Sequence, residues 1–576
     1  MLTFPRQTIR EGQRFSNFIH EAGTSIIDRC VDIHRQPLIQ RVSEPDRDVI
    51  LPTARLLRDR VVTLAAGDAL EGGTRHRRRA LKELLAVCAF EDWNPAHFLD
   101  TAEMLAAVAL GLLWCRSLAT PAEQSRLDAA ITAKGLQPGA EAFARGDFWV
   151  SATHNWNTVC CGALVLGALS LRHGTRRRVA DLHPVFAPAL AGLRNGFSAF
   201  GDDGGYAEGV AYWALAMRAA LLAESALLAA GFSDGLPPHL AAGWRFSRDM
   251  LAPSGRPFDF GDTPPDWERP DCLGLLASLA ADPEAARWHR EAPGALTGLD
   301  LLWPGPPHRG EPTQSGSGAA AACSLSWYGT AGAGILRAGD WWVGFKGGRN
   351  DVNHAHLDLG SFILEWRGQR FAIDAGRDSY ALPGYFDNRQ RFTYLRTGTR
   401  AHNLLVFGGR NQSVDAAAQL AAQEETGAAV ALTLEMSDPA SPTRWRRMVR
   451  ATETGVEVTD EVEAKRAEHD GAEAAVIWQL MSRAQATISY GAAYLRMGAD
   501  SLRLAILEPG NVHWRAEPVE TPPGESSNAG MIRLSFVVPR GARRLRVCFT
   551  GETSGFGDGR KEAAETRAPD RKGRVA

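Results

Sequence analysis

The hydrophobic pattern of the chain changes its period near residue 300. Before that point apolar residues recur at helical spacing, most densely over Ala102–Trp114, Thr158–Leu171 and Val210–Ala230. These stretches are rich in Ala and Leu and apolar around most of their circumference, which predicts helices buried on several sides in a layered helical assembly. Gly and Pro in Gly201–Gly205, Leu236–Pro238 and Pro264–Pro265 separate them. Further on the period becomes two. Strands are predicted at Trp341–Lys346, Ser361–Asp374, Asn403–Phe407, Ala429–Leu434, Thr443–Thr452, Val456–Val462, Ser501–Ile506, Met531–Val538 and Arg544–Phe549. Strands with short turns and no helices between them indicate an antiparallel β-sandwich. The Pro-, Gly- and Ser-rich stretch Trp303–Gly318 reads as a linker. The expected organisation is an α+β multidomain chain: a helical domain over residues 1–310, an antiparallel sandwich over 311–555, and a disordered tail over 556–576.

Length agrees, since 576 residues exceed what one hydrophobic core organises. The 64 basic and 66 acidic side chains show no basic excess, so no nucleic-acid partner is expected. Near-neutrality still permits an acidic substrate in a locally positive cleft. The uncharged run Phe148–Leu171 is interrupted by His154, Asn155 and Asn157 and is a poor membrane span. The first fourteen residues carry neither an apolar export core nor a cleavage site; a cytoplasmic location is expected, or a periplasmic one if the N-terminus is trimmed. Eight scattered Cys without a CxxC pair fit a reducing compartment. The sixteen Trp divide between a core majority and rings available to stack on sugars.

Polar residues that can carry chemistry concentrate in three places. Lys346–Asp358 contains His354 and His356, which share a face in an extended chain; Asp374 and His402 lie at later strand ends. Two His and one Asp at neighbouring strand ends make either a three-ligand zinc site or a hydrogen-bonded polar cluster, and His354 is left for proton transfer. His154-Asn155-Trp156-Asn157 precedes a buried helix, where it either caps the helix or presents an amide and an imidazole to a cleft, a place that favours a substrate carboxylate. The Gly-rich run Asp203–Trp213 is either a turn with an aromatic anchor or a groove wall in which Tyr212 faces a sugar, lined by Glu208 and Trp213. Dinucleotide, P-loop, nucleophile-elbow and HExxH motifs do not occur, so no organic cofactor is expected. Two carboxylates from Asp202, Asp203 and Glu208 leave a glycoside hydrolase open.

Together the runs His154–Cys160, Asp203–Trp213 and Asn353–Phe362, the last continuing to Asp374-Ala375-Gly376 and His402-Asn403-Leu404, resemble the heparinase II/III family of polysaccharide lyases. The resemblance covers about residues 85–550 in architecture and implies an incomplete (α/α) toroid followed by an antiparallel β-sandwich. It implies β-elimination at a uronic acid: loss of the C5 proton, departure of the 4-O-linked sugar and an unsaturated product. Asn155 would neutralise the carboxylate, Tyr212 and His354 would share the acid and base roles, and His154, Asn157, Glu208, Trp213, Arg349 and Arg400 would contact an acidic polysaccharide or oligosaccharide. His356, Asp374 and His402 would hold a structural Zn2+. Gly209-Val210-Ala211-Tyr212 departs from the Gly-Pro-Gly-Tyr that relatives often carry, with Tyr212 still in register. A non-catalytic polysaccharide-binding or biosynthesis protein is the third reading, and a homodimer is compatible with each.

Overall fold

In the computed structural model, which describes residues 18–44, 47–171, 182–267, 269–305, 323–423, 429–441, 443–464 and 475–553, helices come first and antiparallel sheets second. The N-terminal residues read for an export signal, the predicted linker from residue 306 on, the 310/311 boundary and the tail 556–576 lie outside the described residues. The long helices Leu51–Glu71, Phe98–Cys115, Asn155–Ser170 and Val210–Ala230 pack side by side in chain order. Their all-round apolar character follows from that packing, because each has helices on more than one flank. Pro95–Leu118 and Val210–Ala230 are long and apolar enough to span a membrane, but 89% and 67% of their most apolar windows are buried inside the protein.

Among the described residues three sheets follow, paired antiparallel. The first runs in the order Cys323–Tyr328, Ala333–Ala338, Trp341–Lys346, Phe362–Trp366, Gln369–Ala372. A nine-stranded sheet has Ala429–Ser437, Thr443–Thr452, Gly455–Ala464, Arg544–Thr553 and Asp500–Glu508 at its heart, and a four-stranded sheet centres on Ile532–Val537 and Val476–Ser482. The first sheet is a middle layer. Ala333, Ile335, Trp342 and Ile363 join the helical core, while Leu336, Trp341, Val343, Phe345 and Leu364 join the core shared with the large sheet. Strand side chains alternate faces, so burial of both faces explains the unbroken apolar run Trp341-Trp342-Val343.

Two expectations change. Ser361–Asp374 is not one strand but the hairpin Phe362–Trp366 and Gln369–Ala372. Arg367 (φ 53°) and Gly368 (φ 73°) form its two-residue turn, and positive φ at both central positions matches the twist of the flanking strands. The segment holding His354 is a turn rather than extended chain, with His354 itself at φ 62°.

Candidate active site

Two carboxylates of the helical half organise the junction with the sheets. Helix Asn155–Ser170 starts at His154, an extended N-cap whose side chain makes no capping bond. The acceptor comes from Glu208: Oε1 takes the Asn155 N–H at 2.9 Å, and Oε2 takes the Asn155 side-chain amide. A helix start has unpaired N–H groups and partial positive charge, so a buried carboxylate is stabilised there. The place at which the sequence puts a substrate carboxylate is thus filled by the protein's own. Glu208 Oε2 also accepts from Asn353 Nδ2 at 2.9 Å and lies 3.9 Å from His354 Nε2.

Asp262 is the second carboxylate, fully buried in the loop after Phe260. Its Oδ2 lies 2.8 Å from His354 Nδ1; its Oδ1 meets His356 Nε2 at 3.0 Å, Tyr385 Oη at 2.7 Å and Arg391 Nη2 at 2.9 Å. Burial by itself would raise its pKa; hydrogen bonds from His354 and His356 and the charge of Arg391 more than offset this and hold it well below the usual carboxylate range.

Tyr212 stacks on His354 with ring centroids 3.8 Å apart and planes 11° from parallel, and its hydroxyl meets that of Tyr380. Burial, helped by the charge of Asp262, pushes the Tyr212 phenol above its ordinary range and keeps it protonated. Tyr380 and Phe386 flank His354 from the sheet side, Tyr385 packs on both of them, and Arg377 lies over the Tyr380 ring at 4.6 Å. His154 stands beside Phe148 at the rim, and burial lowers its pKa.

Behind this group, ligand atoms of His356, Asp374 and His402 lie within 4.8 Å of one another, all three residues buried. His402 Nδ1 is 2.8 Å from Asp374 Oδ2, while His356 Nδ1 and His402 Nε2 are buried without a hydrogen-bond partner. Burial opposes charge on both members of that pair, but their mutual attraction prevails: Asp374 is held below its usual pKa and His402 above it.

Other expected substrate contacts take different places. Asn157 is buried and its amide spans the carbonyls of Trp149 and Val150 at 3.0 and 3.1 Å. Trp213 is fully buried against Phe246. Both are core struts because their helix faces turn inward. Arg349 is exposed and pairs with Asp351 at 2.7 Å, and exposed Arg400 gives its carbonyl to Gln479. Asp203 fastens its loop, accepting from the N–H groups of Gly205 at 2.8 Å and Gly329 at 3.0 Å. Residues absent from the predicted site are Asp262, Tyr380, Tyr385 and Arg377. Asp262, the second of two Asp in the otherwise largely apolar loop Phe258–Pro265, and the aromatic cluster Tyr380–Phe386 just after Asp374, were the available signals.

Residues 323–553 match the family model described as Heparinase II/III-like, C-terminal. No curated protein matches the chain. Among solved structures, a crystal structure of heparinase III shares 14% identity over 92% of this chain and 85% of its own, with a TM-score of 0.59. A heparan sulfate lyase from Pedobacter heparinus shares 14% over 87% and 76%, TM-score 0.52. A Paenibacillus xanthan lyase shares 10% over 96% of this chain and 59% of its own, TM-score 0.53. At these identities the likeness is one of fold.

Proposed function

We propose, for a chain whose residues 323–553 match a heparinase II/III-like C-terminal domain, a polysaccharide lyase that cleaves uronic-acid-containing glycans by β-elimination. The observation that carries this reading is the stacking of Tyr212, from the helical half, on His354, from the sheet half, beside Asn155 and Asn353. The C5 proton of a uronate is weakly acidic, so the carboxylate must be neutralised as the enolate-like intermediate forms. An Asn155 amide has two N–H groups; one is held by Glu208, which orients the other toward the substrate. His354, with Nδ1 turned to Asp262, offers Nε2 as the base. Tyr212, kept protonated by burial, protonates the departing 4-oxygen.

A Zn2+ ion fits behind the site. Two buried imidazole nitrogens without partners beside a carboxylate suit a metal better than a closed hydrogen-bond cluster. His356, Asp374 and His402 would hold it, and it would brace the segments that present His354.

The test is absorbance of the conjugated 4,5-unsaturated uronate on a panel of uronic-acid polymers and oligomers. Tyr212→Phe and His354→Ala should each lower the rate by about 10²–10⁴-fold with unchanged circular dichroism. Wild-type rates in either variant would remove that residue from the mechanism. Release of reducing ends without absorbance would favour a hydrolase.

A further inference from the structure

Asp262 lies outside the predicted motifs, yet it is the acceptor facing both imidazoles of the Asn353–Asp358 segment. We propose that Asp262 is a positioning residue that fixes opposite tautomers in two histidines two residues apart. It holds His354 with the proton on Nδ1, leaving Nε2 to accept a proton in the cleft. It holds His356 with the proton on Nε2, leaving Nδ1 as the nitrogen that can ligate a metal. The first half rests on the lyase reading above; the second does not.

An ionised carboxylate only accepts hydrogen bonds, so each ring nitrogen that faces it carries a hydrogen. In a ring that carries one hydrogen, the other nitrogen is then a lone-pair donor, and the surroundings agree. His354 Nε2 points to the side of Glu208 Oε2, 3.9 Å away, and of the Asn353 amide bound to that oxygen. His356 Nδ1 is buried without a hydrogen-bond partner in the group formed with Asp374 and His402. Tyr385 and Arg391 occupy the remaining acceptor capacity of Oδ1 and keep the carboxylate from turning.

The backbone is built to bring the carboxylate to both rings. His354 at φ 62° reverses the chain locally, so that its ring and that of His356 converge on Asp262 from different sides. The Asp262 N–H donates to the His354 carbonyl at 3.1 Å. Gly261 at φ 59° makes that approach feasible, since a Cβ there would lie 2.7 Å from the His354 carbonyl oxygen. A simple ion-pair strut to Arg391 would need none of this.

The experiment is long-range ¹H–¹⁵N correlation on full-length, ¹⁵N-histidine-labelled protein, with His354→Gln and His356→Gln for assignment. The wild type should show Nδ1–H at His354 and Nε2–H at His356. Added Zn2+ should move the His356 Nδ1 resonance and leave its Nε2–H in place. In Asp262→Asn both preferences should weaken, kcat on the best uronate substrate should fall about 10²-fold or more with KM within a few-fold, and zinc content should drop. The opposite tautomer at either histidine in the wild type overturns the proposal, and that spectrum decides even if the variant fails to fold. So does a variant that keeps both tautomers, whether or not its kcat falls. Wild-type tautomers as assigned, in a protein inactive on every uronate, would leave the positioning role standing and remove the lyase reading.

Discussion

His354 adopts φ 62°, a conformation costly for a residue with a Cβ and tolerated only where surrounding contacts dictate it. Here the dictating contacts are the Asp262 N–H on its carbonyl and the Asp262 carboxylate on its ring. Gly261→Ala would place a Cβ against the His354 carbonyl oxygen at a position that also needs positive φ. It should destabilise the protein by about 1–3 kcal/mol and weaken the proposed lyase activity together, read by denaturant unfolding and by uronate absorbance. An alanine variant with unchanged stability and rate would show that the loop approaches His354 less closely. At this scale the motif residues were legible because their types are rare and clustered. Asp262 was not, because it is one of two Asp in a short loop, and nothing in the loop's own residues separates it from Asp259 until the chain folds back on His354.

Between elements, buried charge does work that apolar burial cannot. Glu103, on Phe98–Cys115, takes Arg58 at 2.6 Å and Arg55 at 3.3 Å from Leu51–Glu71 and lies 3.7 Å from Arg218 on Val210–Ala230. Burial would raise its pKa, but Arg58, Arg218 and Arg55 outweigh it and bring the carboxyl down to about 2. A depressed carboxylate adds stability that is fully present above its unfolded pKa of 4.5 and disappears as pH falls toward 2. Urea unfolding should therefore show a loss between those limits that is smaller in Glu103→Gln. Glu103→Ala at neutral pH should cost about 3–5 kcal/mol, since it leaves arginines without their buried partner. A pH profile identical in the parent and Glu103→Gln would refute the linkage. The helices themselves were legible from period and composition, and Val210–Ala230 has the ends the pattern predicts. The hairpin within Ser361–Asp374 was missed because Arg367 is not a residue expected at positive φ; cross-strand pairing of Trp366 with Gln369 imposes it.

Across the whole molecule, the first sheet is held between helices and the large sheet, so one of its faces is buried against the helical half and the other against the rest of the sheet half. The candidate metal group sits on the sheet side of that junction, with Asp374 just past the Gln369–Ala372 strand and His402 before Leu405–Phe407. His402→Ala should abolish the zinc binding proposed above and cost about 3–5 kcal/mol by stranding the Asp374 carboxylate. Metal analysis and melting curves with and without added zinc check this; undiminished zinc in the variant would remove His402 from the ligand set. The order of helices and strands, and the residue types able to carry the chemistry, were determined by the sequence itself, because side-chain period and local polarity are properties of neighbouring residues. Only the tertiary structure decided that Glu208 caps the Asn155 helix, that Tyr212 lies on His354, and that Asp262 faces both histidines. Those pairs are 53, 142 and about 90 residues apart in the chain, and no local preference encodes a contact at that distance; it exists because the middle sheet is packed on both faces.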